Sequence, residues 1–195
     1  MPYTNFSWIL ERLAVGGIVS DARGLPFEYI VSLETWAPLA LRDAVVSGSV
    51  EYYWCPIGDD YCWEDQEAIV RRFDEAAAHI DRGLETGGSV LVHCASGVSR
   101  SVTAVAWYLM RYRGHTWDQA LAIIRARRPQ AYPNVRFEIA LRLAAGERLD
   151  RGQLEERLAA ACRELAERGI AETPEAIRHD LERQGTMQLL VQLSS

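Results

Sequence analysis

The chain contains no lysine; all 21 of its basic residues are arginine, set against 27 Asp and Glu, for a net charge of -6. That choice of base reflects a biased genome rather than a mechanism, but the sign of the charge is informative. A nucleic-acid binder needs a surplus of cations to displace counterions, so this deficit argues against one. More weakly, it argues against an enzyme specialised for anionic membrane lipids. A local positive pocket stays open. Cysteine is scarce as well: Cys55, Cys62, Cys94 and Cys162 show no CxxC spacing. That excludes a disulfide scaffold and offers no zinc pattern, so neither a metal nor another cofactor is expected. No stretch approaches the roughly 18 apolar residues of a membrane span, and residues 1–5 carry neither a basic start nor an apolar h-region. A cytoplasmic protein with no membrane partner is the expectation. Internal repeats and low-complexity linkers are also missing. What is there is ordinary for a folded protein: 195 residues, 49% hydrophobic and 25% charged, enough for one domain with a core plus an appendage.

The most informative stretch is His93-Cys94-Ala95-Ser96-Gly97-Val98-Ser99-Arg100-Ser101. It follows the apolar run Val90-Leu91-Val92, which reads as a buried strand, and precedes a helical pattern from Val102 onward. A loop of five residues between Cys94 and Arg100 can curl so that successive backbone N–H groups point inward, forming an anion nest. The helix adds its unpaired N–H groups and the positive end of its dipole. Gly97 can supply a positive φ. Arg100 can fork two N–H donors onto two phosphate oxygens. The same field favours a thiolate at Cys94. These features together suit attack of sulfur on a bound phosphorus atom, through a phosphocysteine that water then hydrolyses.

HCASGVSRS resembles the HCxxGxxRS signature of the cysteine-dependent protein tyrosine phosphatases, in their dual-specificity branch. Pro56-Ile57-Gly58-Asp59 is similar to the family's acid-bearing segment, Pro133-Asn134-Val135-Arg136-Phe137 to its P-N-x-x-F element, and Leu13-Ala14-Val15-Gly16 to its early strand. The likeness covers about residues 5–146. It implies Cys94 as nucleophile and Arg100 as the phosphate-binding, transition-state-stabilising group. It implies that the N–H groups of Ala95, Ser96, Gly97, Val98, Ser99 and Arg100 line the cradle. Ser101 would assist departure of the thiolate, and His93 would orient the loop. Asp59 would protonate the leaving oxygen and later deprotonate water; Asp60 is its adjacent rival and Asp65 a more distant one, because Asp59 lies 35 positions before Cys94, a long gap for the family. The implied substrate is a phosphorylated protein or peptide, phosphotyrosine first and phosphoserine or phosphothreonine after it. The other reading is a catalytically weak module that binds phosphoproteins. The loop interior lacks the basic residues of lipid-phosphatase versions, and Trp36, Tyr61 and Trp63 are candidate pocket walls.

Elsewhere the pattern alternates strands and helices. Strands are expected at residues 7–9, 13–16, 29–33, 52–56 and 90–93, and helices at 38–46, 64–85, 99–112, 116–127 and 134–145. That order indicates an α/β fold with a mainly parallel central sheet flanked by helices, of the protein tyrosine phosphatase kind. The active loop then lies at the carboxyl end of a central strand. Thr116 and Asn134 are the expected N-caps. Arg111, Arg113, Arg125, Arg127 and Arg128 read as a solvated basic face, or as an attractor of phosphorylated substrate. Cys55 and Cys62 flank the acid loop, and either could form a reversible disulfide with Cys94 under oxidation. Residues 147–195 form a helical extension. Leu154, Leu158, Ala161, Cys162 and Leu165 make its first apolar stripe, Thr173-Pro174 opens a second helix, and residues 187–193 alternate as a strand would. The extension either packs on the domain or mediates a homodimer.

Overall fold

The computed structural model describes residues 5–18, 25–36, 50–59, 66–148 and 150–167. Its strands are β1 (Phe6–Leu10), β2 (Leu13–Gly16), β3 (Tyr29–Ser32), β4 (Glu51–Trp54) and β5 (Val90–His93). Its helices are α1 (Gln66–Glu85), α2 (Arg100–Arg113), α3 (Trp117–Arg125), α4 (Val135–Ala144) and α5 (Arg151–Glu167). The helix expected at 38–46, and everything expected beyond residue 167, lie outside the described residues.

The five strands form one mixed sheet in the order β1-β2-β5-β3-β4. β1 and β2 are an antiparallel hairpin whose register shifts between Trp8 and Leu10, a bulge on the edge strand. The other three pairings are parallel. β2, β3 and β5 are buried at every residue. Cover on both faces is what a parallel strand requires, and it explains why Val90-Leu91-Val92 is continuously apolar rather than alternating. The register aligns Gly16, His93, Ser32 and Trp54 as one row across the carboxyl ends of β2, β5, β3 and β4.

Each face of the sheet has its own packing. Ala14, Ile30 and Leu91 meet Phe27 and Val50 on one side, where the rings of Phe6 and Trp8 each stand 5.0 Å from Phe27. Toward the other side α1 buries Phe73, Ala76, Ala77, Ile80 and Leu84, a helical stripe. Its last turn approaches the sheet closely because Gly83 and Gly88 leave room for the Tyr29 ring. α2 packs on β5, β2 and α3, and its residues Val102 to Leu109 are all buried. α3 begins in a capping box: Gln119 N donates to Thr116 Oγ1 at 3.3 Å and Thr116 N to Gln119 Oε1 at 3.0 Å.

Contacts gather the chain into two compact units, Met1–Asp59 with Arg71–Pro133, and Asp60–Val70 with Asn134–Ser195. The first holds the sheet, α2 and α3. In the second, α4 is capped by Asn134, whose side chain accepts from Arg136 N at 3.0 Å. α5 packs on α4, burying Leu154, Leu158 and Cys162, and Arg157 Nε reaches Glu138 Oε1 at 3.4 Å.

Gly83→Ala pits two effects against each other. Alanine is better than glycine inside a helix by about 1 kcal/mol. A Cβ on Gly83, however, would stand 2.8 Å from Val90 Cγ2 and 2.9 Å from Tyr29 Cγ. The Tyr29 ring is tied down, its hydroxyl accepting from Thr86 Oγ1 at 2.7 Å. Overpacking of this kind costs about 1–3 kcal/mol. Urea denaturation should therefore show the variant less stable than wild type by about 1 kcal/mol; a gain in stability would mean that the helix–sheet contact yields.

Candidate active site

The loop from Cys94 to Arg100 joins β5, the central strand, to the first turn of α2. The carbonyls of Ala95 to Ser99 are all bonded, none of them to a group inside the loop. Ala95 O accepts from Ile18 N at 2.9 Å and Val98 O from Tyr132 N at 2.8 Å. Ser96 O accepts from Arg128 Nη2 at 3.2 Å and Gly97 O from Arg128 Nε at 2.6 Å. Ser99 O accepts from Thr103 N at 2.8 Å. In a trans peptide the C=O of one residue and the N–H of the next point in opposite directions. Five outward carbonyls therefore aim the N–H groups of Ser96, Gly97, Val98, Ser99 and Arg100 to the inner side of the loop. The result is an anion nest continued by a helix N-terminus. Gly97 is obligatory at its bend: it has φ +70°, and a Cβ there would stand 2.5 Å from the Gly16 carbonyl carbon and 2.6 Å from Gly17 N.

Cys94 sits at the root of this loop, 1% exposed. Its Sγ is 3.3 Å from Ser101 Oγ. Ser101 Oγ also donates to Gly16 O at 3.2 Å, an oxygen that accepts from Cys94 N at 3.3 Å. Ser101 thus has one proton and two acceptors in reach, the carbonyl and the sulfur. Arg100 is buried and held from three sides. Its Nη1 donates to Leu33 O at 3.1 Å and Ile57 O at 3.2 Å. Its Nη2 meets Glu34 Oε1 at 3.4 Å and its Nε lies 3.6 Å from Asp59 Oδ2. Asp59 accepts from Ser99 Oγ at 2.8 Å through Oδ1. The acid segment is thereby drawn over the loop, and Ser99, at the N-cap position of α2, donates its hydroxyl proton to Asp59 and accepts no capping bond from a helix N–H.

His93 is 1% exposed. Burial pushes its pKa down to about 4, Arg100 adds to the lowering, and the Cys94 backbone opposes it in part. Its ring is neutral at pH 7. Neither ring nitrogen makes a hydrogen bond of full geometry among the described residues.

The structure thus brings together Cys94, Ala95, Ser96, Gly97, Val98, Ser99, Arg100, Ser101, His93 and Asp59. Asp60, Asp65, Cys62, Tyr61 and Trp63 lie outside the described residues. Cys55, the other cysteine beside the acid loop, is buried, and burial raises its thiol to about 11. A thiol held neutral at pH 7 is a poor partner for thiol–disulfide exchange.

Two residues were not foreseen. Arg128, expected on a solvated face, is 2% exposed. Besides Gly97 O and Ser96 O it bonds Asn5 Oδ1 at 2.8 Å and Ser7 Oγ at 3.3 Å. Burial lowers its pKa, and attraction to the Cys94 side chain raises it. The available signal is its place on the buried stripe of Trp117, Leu121 and Ile124, one turn past the end of α3. Glu34 is 2% exposed beside Arg100. Its only sequence signal is an acidic residue at the carboxyl end of a buried strand.

The sequence matches the family described as dual specificity phosphatase, catalytic domain, over residues 19–145. Dual specificity protein phosphatase 1B of Arabidopsis thaliana is 43% identical over 89 residues, 42% of this chain and 53% of that protein. Dual specificity protein phosphatase Mpk3 of Drosophila melanogaster is 38% identical over 128 residues, 62% of this chain and 29% of that protein. The chain therefore spans about half, or less, of the length of these curated relatives. The crystal structure of DUSP15 superposes with a TM-score of 0.61 at 28% identity, covering 84% of this chain and 96% of that one.

The neutral His93 carries a pH signature. Its folded pKa lies below its ordinary 6.5, so the unfolded chain binds the proton more tightly. The stabilisation is full above pH 6.5 and is lost as pH falls toward 4. Between pH 7 and 4.5 the loss from this one group is about 2 kcal/mol. Urea titrations should show wild type losing about that much more than His93→Gln over the same interval. Equal losses would mean that the ring is charged in the folded protein.

Proposed function

The chain belongs to the dual-specificity phosphatase family, and from that premise we propose that it hydrolyses phosphomonoesters of proteins through a phosphocysteine. Phosphotyrosine is the first substrate class, with phosphoserine and phosphothreonine following. One observation carries the reading: the outward bonding of all five carbonyls from Ala95 to Ser99 over a buried Cys94, with Arg100 and Asp59 meeting at the same loop.

The chemistry follows from these positions. The phosphoryl oxygens take the N–H groups of the loop and two N–H groups of Arg100. Such fixed donors stabilise charge in a loose transition state at no reorganisation cost. The Cys94 thiolate forms the S–P bond as the bond from phosphorus to the leaving oxygen breaks, and Asp59 gives that oxygen its proton. An arriving phosphate dianion competes with Asp59 for Arg100 and disfavours the ionised carboxylate, which readies the acid. In the second step water adds to phosphorus and the S–P bond breaks, with Asp59 taking the water proton. Ser101 then turns its proton from Gly16 O to the departing sulfur, 3.3 Å away. A neutral His93 beneath the loop adds no competing charge.

Residues 5–146 are read as the catalytic domain and residues 147–195 as an extension. The buried faces of Leu154, Leu158 and Cys162 support packing of α5 on α4 in preference to a free dimerisation surface.

Hydrolysis of para-nitrophenyl phosphate in EDTA tests the reading. Wild type should turn over while Cys94→Ser falls to background; equal rates would overturn the phosphocysteine route. Asp59→Asn should slow alkyl phosphates by about 10²-fold or more, within the range general acids supply, and the activated nitrophenyl ester far less. The same pattern in Asp60→Asn instead would reassign the acid.

A further inference from the structure

Among the described residues, four large apolar side chains are exposed: Ile18 (41%), Trp36 (51%), Trp54 (48%) and Tyr112 (43%). Tyr112 stacks on Tyr108, ring centroids 5.5 Å apart, at the end of α2. The other three lie on segments tied to the anion loop or to Glu34. Ile18 donates its N–H to Ala95 O. Trp36 stands two residues past Glu34, whose carboxylate holds Arg100. Trp54 closes the row formed with Gly16, His93 and Ser32 at the carboxyl end of the sheet. Its indole Nε1 donates to Glu34 O at 2.7 Å, and the next residue, Cys55, donates its N–H to Ser32 O at 2.9 Å. Trp54 is therefore half-exposed yet fixed, so covering it costs little side-chain entropy. Exposed apolar surface gathered at one place marks an interaction site, and here it adjoins a phosphate-shaped cradle.

We propose that Trp54 and Trp36 form an aromatic shelf that selects phosphorylated protein segments carrying an aromatic or aliphatic side chain near the phosphoresidue. The proposal rests on the cradle being the substrate site. The spacing is set by the sheet. Trp54 is two strands from His93, about 10 Å, which an extended peptide covers in about three residues. The cradle decides between occupants. A phosphoresidue seated on the loop carries its neighbours along the row toward Trp54, so the shelf takes the flanking side chain of a phosphorylated peptide. Glu34 and Asp59 are both paired with Arg100, so the apolar surface of the two indoles is what the shelf offers, and it favours an apolar flank.

The test compares two phosphotyrosine peptides identical except for Phe or Ser within three residues of the phosphotyrosine. They are assayed with wild type, Trp36→Ala, Trp54→Ala and Trp54→Phe. Wild type should favour the Phe peptide about tenfold in kcat/KM, a size set by aromatic contacts, and the difference should lie in KM. Trp54→Ala should bring the ratio close to one, and Trp36→Ala should lower it. Trp54→Phe, which loses the N–H to Glu34 but keeps a ring, should retain most of it. Use of the ratio cancels any general loss of activity from a disturbed Glu34. Kd values of the two peptides for Cys94→Ser give the same comparison without turnover. Inert wild type would therefore sink the proposed hydrolysis while the Kd ratio still decides the shelf. A ratio near one in wild type, or one unchanged in both alanine variants, would overturn the shelf. So would hydrolysis of phosphatidylinositol phosphate in vesicles faster than of either peptide.

Discussion

A buried arginine holds the anion loop open. Arg128 comes from the turn after α3 and spends its guanidinium on the carbonyls of Ser96 and Gly97 and on the side chains of Asn5 and Ser7. A charge-assisted hydrogen bond contributes about 1.5–3 kcal/mol, and a buried carbonyl left without a donor costs a similar amount. Two such bonds outweigh any preference of a short loop for another peptide orientation. Without them nothing forces the next N–H groups inward, and a nest of inward N–H groups is what an anion needs there. Gly97 completes the constraint, because Arg128, Gly16 and Gly17 fill the space of its missing side chain.

A second buried network ties the other half of the site to the sheet. Leu33 O accepts from both Arg100 Nη1 and Ile57 N, so the end of β3, the guanidinium and the acid segment share one oxygen. Glu34 adds a carboxylate to Arg100 and a carbonyl to Trp54. The buried Arg100–Glu34 pair is a weak source of stability on its own, since desolvating both ions offsets much of their attraction. What such a pair supplies is position: it fixes the plane of Arg100 beside the loop, and through Trp54 it joins the rim of the site to its floor.

How much of this was legible depends on sequence distance. HCASGVSRS is contiguous, and strand, loop and helix N-terminus follow from its own pattern, so Cys94, Arg100 and Ser101 are found together as expected. The parallel sheet was legible too, because burial on both faces leaves runs such as Val90-Leu91-Val92. Asp59 was reachable only through the Pro56 segment, since its contact with Ser99 spans 40 residues. Arg128 and Glu34 were not legible. Their partners lie 31 and 66 residues away, and in a chain whose every cation is arginine one more arginine carries no local mark. Only the helical stripe of α3 separates Arg128 from its exposed neighbours Arg125 and Arg127.

Arg128 orients the loop for an anion. Isothermal titration of inorganic phosphate into wild type and Arg128→Lys, both checked for fold by circular dichroism, tests it most directly. Lysine keeps the charge but cannot fork across two carbonyls. Phosphate affinity should be lower by about tenfold or more in a folded variant, the scale of one lost charge-assisted bond. Unchanged affinity would contradict it and leave the loop self-sufficient.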